Sequence, residues 1–439
     1  MKYNPEMHKL SNGVTVIFDP MDLETASLKV VFFTGSRDEK PNEYGITHFC
    51  EHMFCEGSKR FPNAKDRTEY LVDNGCKTNA STNIEYLRFY GETFANNLHV
   101  LIDCIGEQLQ YPLFDKNVIE RERGVILDEL RRHNDKASVQ NNNIVYKNIF
   151  GDYNLKVLGT EENIKSFTRK KMLFFIRRRM SAKNCVIIVS GKINNKTKTL
   201  NQLEKSFGFL KPFDVKNNTS IKYTPKCKHV FQKSINNVGI KIMVPAMWRH
   251  EKDYRFQRTC VRKFVLILVD KLQEQLRTKH GLVYDVSTTR YGNEVFYLES
   301  LITYTAPEYV AQCVALIAQT CADLYYNNSF TDEDVDRLRK RAAFGDAKYL
   351  DSFENRAQDL VQSYQDYGEL YNFPEFVKMC NSITRDDIIK NTRGFFDGEM
   401  SILTVGSKFD GDLMKIWRDN FKPNGEIIMS AIKQQKKSR

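Results

Sequence analysis

His48-Phe49-Cys50-Glu51-His52 places two imidazoles and a carboxylate on one face of a helix. At about 100° per residue, His52 falls roughly 40° from His48 and Glu51 roughly 60° from it on the other side, so the three share one sector. Two neutral imidazoles one turn apart suit zinc, and a carboxylate beside them suits a general base. A solvated helix face can carry the same residues, so the neighbours decide. Gly35 to Glu43 is turn-rich, Tyr44 to Phe54 reads as a helix, and Gly57 stands at its end. Ile46, Phe49, Cys50 and Met53 are apolar and give that helix a core face.

Zinc needs a third protein ligand from a second element. The acidic helix expected over Asn117 to Asn134 offers Glu122 and Glu129, which lie two turns apart on one face. One of these carboxylates can ligate while the other orients a ligand. Taken locally, the same helix is a charged surface helix with Glu-Arg pairs.

His48-x-x-Glu51-His52 followed by Glu129 resembles the inverted zinc motif of the pitrilysin, insulysin and mitochondrial processing peptidase family, the inverzincins. Gly35-Ser36-Arg37, Glu56-Gly57-Ser58-Lys59-Arg60-Phe61-Pro62 and Asn79-Ala80-Ser81-Thr82 resemble family segments in order and spacing. The resemblance implies His48, His52 and Glu129 as ligands of one Zn2+ per chain, Glu51 as the base that activates the zinc-bound water, and Glu122 as a supporting carboxylate. It further implies an α+β fold of two similar domains, each a mostly antiparallel sheet packed against helices, together half of a clamshell. In the second half, Arg277 and Tyr284 match family residues that contact substrate backbone, although Arg262 to Leu268 stands where the family carries a Ser-rich glycine segment.

Length and composition agree with more than one domain. A chain of 439 residues exceeds the size of a single core. No apolar run is long enough to span a bilayer, and the opening Met1 to Glu6 has no signal-peptide character, so an intracellular, cytoplasmic protein is expected. The net charge of +11 is scattered, apart from the basic tail Lys433 to Arg439, and no nucleic-acid motif accompanies it. The ten cysteines contain no Cys-x-x-Cys pair and read as reduced. Cys50 should face the core, while Cys55 returns to within about 20° of His48, where a thiol would make activity sensitive to alkylation.

Two similar halves are expected. Leu10 to Phe18 reads as an Asn-Gly turn entering an alternating strand, Ser27 to Thr34 as a second strand, Asn97 to Gln110 as a helix, and Cys185 to Gly191 as a buried strand. Phe114 precedes Gly191 by nearly the same offset as Phe330 precedes Gly406, as a duplicated domain would give. The expected domains are 1-210 with the zinc site and 229-439 without it, joined by the linker 211-228. Leu272 to Tyr284 reads as a helix ending at Gly281 and running into a strand, with Arg277 exposed and Tyr284 at a boundary.

These readings converge on a zinc metalloendopeptidase for peptides or unfolded segments, with Asn79 and Ala80 on a sheet edge that pairs with substrate backbone. Relatives of this type enclose substrate with twice as many domains, so a homodimer or a related partner chain is expected, Arg277 and Tyr284 of one subunit facing the zinc of the other. The alternative is a non-catalytic structural or assembly subunit with the same fold.

Overall fold

A computed structural model of the chain describes residues 3–151, 156–218, 222–233, 235–246, 254–292, 297–370 and 372–423. The basic tail at 433-439 lies outside the described residues. Among the described residues the strands are β1 (Glu6–Lys9), β2 (Thr15–Pro20), β3 (Thr25–Phe32), β4 (Lys77–Thr82), β5 (Leu87–Phe94), β6 (Cys185–Gly191), β7 (Cys227–Phe231), β8 (Val238–Ala246), β9 (Val286–Gly292), β10 (Tyr297–Thr305) and β11 (Ser401–Gly406).

They form two mixed, mostly antiparallel sheets, ordered β1-β2-β6-β3-β5-β4 and β7-β11-β8-β10-β9. Each has one parallel pair, β2 with β6 and β7 with β11. The α+β reading with two alike sheet-and-helix domains holds.

Two compact units contain these sheets. The first comprises the described residues within 1–133, 154–219 and 346–374, the second those within 134–153, 220–345 and 375–439. Each unit therefore takes one helix from the far side of the sequence. In the first, helix Phe353–Tyr367 covers a sheet face through Ala357, Leu360 and Val361 against Ile17, Val31, Val186 and Ile188. In the second, helix Ala137–Phe150 brings Asn142 and Tyr146 to Lys241 on β8.

This covering corrects the strand patterns. β2, expected as an alternating strand, is buried on both faces, because Val16 and Phe18 enter the main core while Ile17 meets helix Phe353–Tyr367. The run of Cys185–Gly191 is fully buried for the same reason. The Asn-Gly turn forms, with Gly13 in the left-handed region and its N–H on Leu10 O. The strand expected over Ser27 to Thr34 leaves the sheet at Phe33, and the helix expected from Asn97 starts at Leu98. Among the described residues no helix is long and apolar enough to cross a membrane.

Candidate metal centre

The motif helix, Ile46–Glu56, starts from a glycine and ends at Gly57. Gly45 sits in the left-handed region at φ +93° and offers no side chain to cap the first backbone donors. Glu39 takes that role: its buried carboxylate accepts the Gly45 N–H at 2.8 Å and the Thr47 N–H at 2.9 Å. Burial pushes the Glu39 carboxyl up to about 8. The sequence reading gave Glu39 no role; an acidic residue shortly before a helix start was the available signal. Phe49, Cys50, Met53 and Phe54 turn into the core, which leaves His48, Glu51 and His52 on the opposite side.

The second element is helix Lys116–Asn134, whose buried stripe is Ile119, Glu122, Ile126 and Leu130. Glu122 is the one charged member of that stripe. His52 Nδ1 meets its Oε2 at 3.0 Å, which makes Nδ1 the protonated nitrogen and leaves the Nε2 lone pair available. The hydrogen bond with His52, aided by Arg121, holds the Glu122 carboxyl below the usual carboxylate range. For His52, burial acts to lower the pKa, but the bond to Glu122 and the nearby carboxylates outweigh it and raise it.

Glu129 lies on the same side of that helix. Its Oε2 is 3.7 Å from His48 Nε2 and 3.8 Å from His52 Nε2. The three donor atoms fall within 4.8 Å of one another, and among the described residues this is the single such grouping. The gaps are too long for hydrogen bonds and approach the roughly 3.3 Å between neighbouring donors set about 2.0–2.1 Å from a tetrahedral zinc. His48 is buried and, among the described residues, its Nδ1 has no hydrogen-bond partner. Burial, with His52 second, pushes it down to about 3, so the ring stays neutral and able to ligate. Two imidazoles and a carboxylate fit zinc with a fourth position left open.

Glu51 is buried beside this trio, and burial pushes its carboxyl upward. Thr82 Oγ1 donates to Glu51 Oε2 at 2.5 Å, a partner that the sequence reading did not single out. Asn79 is exposed and Ala80 buried on β4, which lies at the end of its sheet.

Arg277 and Tyr284 belong to the second unit, where the guanidinium lies over the phenol ring at 5.0 Å. Here the local reading needs correction. Helix Tyr254–Leu272 continues as a π-helical turn over Gln273–Lys279, and β9 begins only at Val286. Tyr284 is therefore on a loop and 84% exposed, not at a boundary. Cys55 is also unlike its expectation. Burial pushes its thiol up to about 11, against the hydrogen bond that Gln108 Nε2 donates to its Sγ at 3.5 Å, and a raised pKa disfavours the thiolate that alkylation needs. All ten cysteines are free.

Two family descriptions match in tandem, "Insulinase (Peptidase family M16)" over residues 17–159 and "Peptidase M16 inactive domain" over residues 166–342. The chain belongs to peptidase family M16. His48, Glu51, His52, Glu122 and Glu129 of the M16 chain all lie within the first match. A Rickettsia bellii protein named an uncharacterized zinc protease is 23% identical over 416 residues, covering 92% of this chain and 98% of its own. The beta subunit of the mitochondrial-processing peptidase of Dictyostelium discoideum is 28% identical over 219 residues, 48% of this chain and 46% of its own. The fold of the M16 chain matches the crystal structure of the first half of the periplasmic protease PqqL from Escherichia coli, with TM-score 0.81 and 15% identity, covering 97% of this chain and 98% of that one.

Proposed function

We propose that this M16 chain is a zinc metalloendopeptidase that hydrolyses peptides or unfolded protein segments, with one zinc held by His48, His52 and Glu129. The observation that carries the reading is the convergence of those three donors beside a buried carboxylate, Glu51, that is not one of them. Zinc bound there would supply a Lewis acid that polarises a carbonyl and brings the pKa of a coordinated water toward about 7. Glu51 takes a proton from water and delivers it to the leaving amine. Glu122 keeps His52 in the tautomer whose Nε2 is free to ligate.

The substrate lies along β4. As the end strand of its sheet, paired with β5 alone among the described strands, it can accept an extended peptide beside Asn79 and Ala80. Such pairing selects for unfolded backbone and reads little side-chain sequence. The reading extends to a homodimer, or a related partner chain, in which Arg277 and Tyr284 of one subunit donate to the carbonyl or developing oxyanion of a peptide held by the other.

Metal analysis paired with chelator-sensitive cleavage of a quenched fluorescent, unstructured peptide tests the reading. One zinc per chain is expected, and Glu51→Gln should keep it while lowering kcat by about 10²–10⁴-fold. A Glu51→Gln protein of normal activity sinks the assignment. Absence of both zinc and cleavage favours the non-catalytic assembly subunit.

A further inference from the structure

The strand that accepts substrate also holds the base. Along β4, Ala80 and Thr82 share one face, and Ala80 is packed in the core that contains the motif helix. Thr82 is thereby turned toward that helix, and its hydroxyl donates to Glu51 Oε2 at 2.5 Å. The Ser81 side chain lies on the other face, where its Oγ accepts from Arg88 Nε at 2.6 Å.

Both ends of the Thr82–Glu51 bond are anchored to one clamp. The turn after Thr82 is closed by Asn83, whose Oδ1 accepts the N–H groups of Glu85 and Tyr86 at 2.7 Å each. That turn is fastened to the segment leading into the motif helix: Ser36 N–H donates to Asn83 O at 3.1 Å and Arg37 N–H to Ile84 O at 3.0 Å. A Cβ on Gly35 would come within 2.4 Å of the Ile84 carbonyl, so the two backbones are in direct contact there. Arg37, almost wholly buried, adds an ion pair to Glu85 at 2.8 Å. A short hydrogen bond between two such fixed elements restricts the rotation of the Glu51 carboxylate.

We propose that Thr82 is a positioning residue, its hydroxyl setting the orientation of Glu51 relative to the peptide that pairs with the same strand. This rests on the peptidase reading above. Registering base and substrate to one strand places the effect of Thr82 on the chemical step, since a misplacement of about 1 Å costs on the order of 10²-fold in rate. Substrate binding through backbone pairing, and zinc binding through His48, His52 and Glu129, use other atoms.

Full-length, zinc-loaded wild type, Thr82→Val, Thr82→Ala and Thr82→Ser are compared by steady-state cleavage of the same peptide. Zinc content and zinc affinity against a competing chelator are measured alongside. Both variants without a hydroxyl should lose about 10- to 100-fold in kcat with KM within about twofold. Zinc affinity should not move, and Thr82→Ser should return to within about threefold of wild type. Wild-type kcat in Thr82→Ala or Thr82→Val overturns the proposal, as does a Ser variant no better than Ala, or a loss that tracks zinc release. A wild-type protein that binds zinc and cleaves nothing overturns the peptidase reading and this role with it, whereas an active wild type with an active Thr82→Val overturns the Thr82 role alone.

Discussion

Lys29 on β3 and Lys241 on β8 stand at the same place in β2-β6-β3-β5-β4 and β7-β11-β8-β10-β9, two five-strand runs built in the same order, yet they are held differently. Ala26 pairs with Gly191 and Val238 with Gly406, and each lysine follows three residues later. Both are buried, at 2% and 5% exposure. Lys29 Nζ meets Glu354 Oε2 at 2.7 Å, from the helix that covers its sheet. Lys241 Nζ meets Asn142 Oδ1 at 3.3 Å and Tyr146 OH at 3.4 Å, both uncharged. Burial lowers both pKa values; for Lys29 the Glu354 carboxylate opposes it, while for Lys241 burial acts alone and takes it to about 8. The first unit also buries Arg356 against Asp19, both at 0% exposure, with Arg356 Nε donating to Asp19 Oδ2 at 2.8 Å. One backbone plan thus carries two electrostatic designs. The unit that gathers the histidines and carboxylates compensates its buried cations with carboxylates, and the other leaves one to neutral partners.

The comparison breaks most visibly at the metal. His48→Ala should reduce zinc from one per chain to almost none and abolish cleavage, while His229→Ala and His280→Ala in the second unit leave it bound, as metal analysis would read. Equal zinc loss from either unit would end the division of labour. Next in size, Arg356→Leu strands the Asp19 carboxylate in the core and should cost about 3–5 kcal/mol in urea unfolding. A loss under about 1 kcal/mol would mean that water reaches Asp19.

The shared framework predicts a matched pair. Gly191 and Gly406 both sit at positive φ, at +100° and +147°, where an added Cβ would meet Thr25 O at 2.4 Å and Asn237 O at 2.0 Å. Gly191→Ala and Gly406→Ala should each destabilise by about 1–3 kcal/mol, and a large effect at only one site would refute the equivalence. The smallest effect separates the lysines. Lys241→Met should be neutral or stabilising by about 1 kcal/mol at pH 7, and Lys29→Met destabilising by a similar amount. The sign of the pH dependence follows. The Lys241 ammonium titrates near 8 when folded and near 10.5 when unfolded, so between these values the unfolded chain holds more protons and stability rises with pH. Denaturation midpoints of wild type should therefore climb from pH 8 to 10.5 more than those of Lys241→Met, and parallel curves would show that Lys241 is solvated.

Much of the first unit was legible before folding because its signals are local. The motif helix, the strand Cys185–Gly191 and the acidic helix follow from spacing and apolar runs within a few turns of chain. The burial of both faces of β2 was not legible in its alternating pattern because the helix that covers it lies more than 300 residues away. The π-helical turn at Gln273–Lys279 left no mark in composition, so Tyr284 was given a boundary rather than an open loop.

The sequence alone determined the donor types and their placement on helical faces. His48, Glu51 and His52 share a side, and Glu122 and Glu129 share another, because helical periodicity is a property of the backbone and acts over one or two turns. Only the tertiary structure decided which carboxylate meets which imidazole, with Glu129 between both Nε2 atoms and Glu122 on His52 Nδ1. It also decided that Thr82 holds Glu51 and that Glu354 finds Lys29 while Lys241 finds no carboxylate among its hydrogen-bond partners. Those are separations of a few ångströms between segments distant in the chain, set by how helices and strands pack, and no local pattern encodes them.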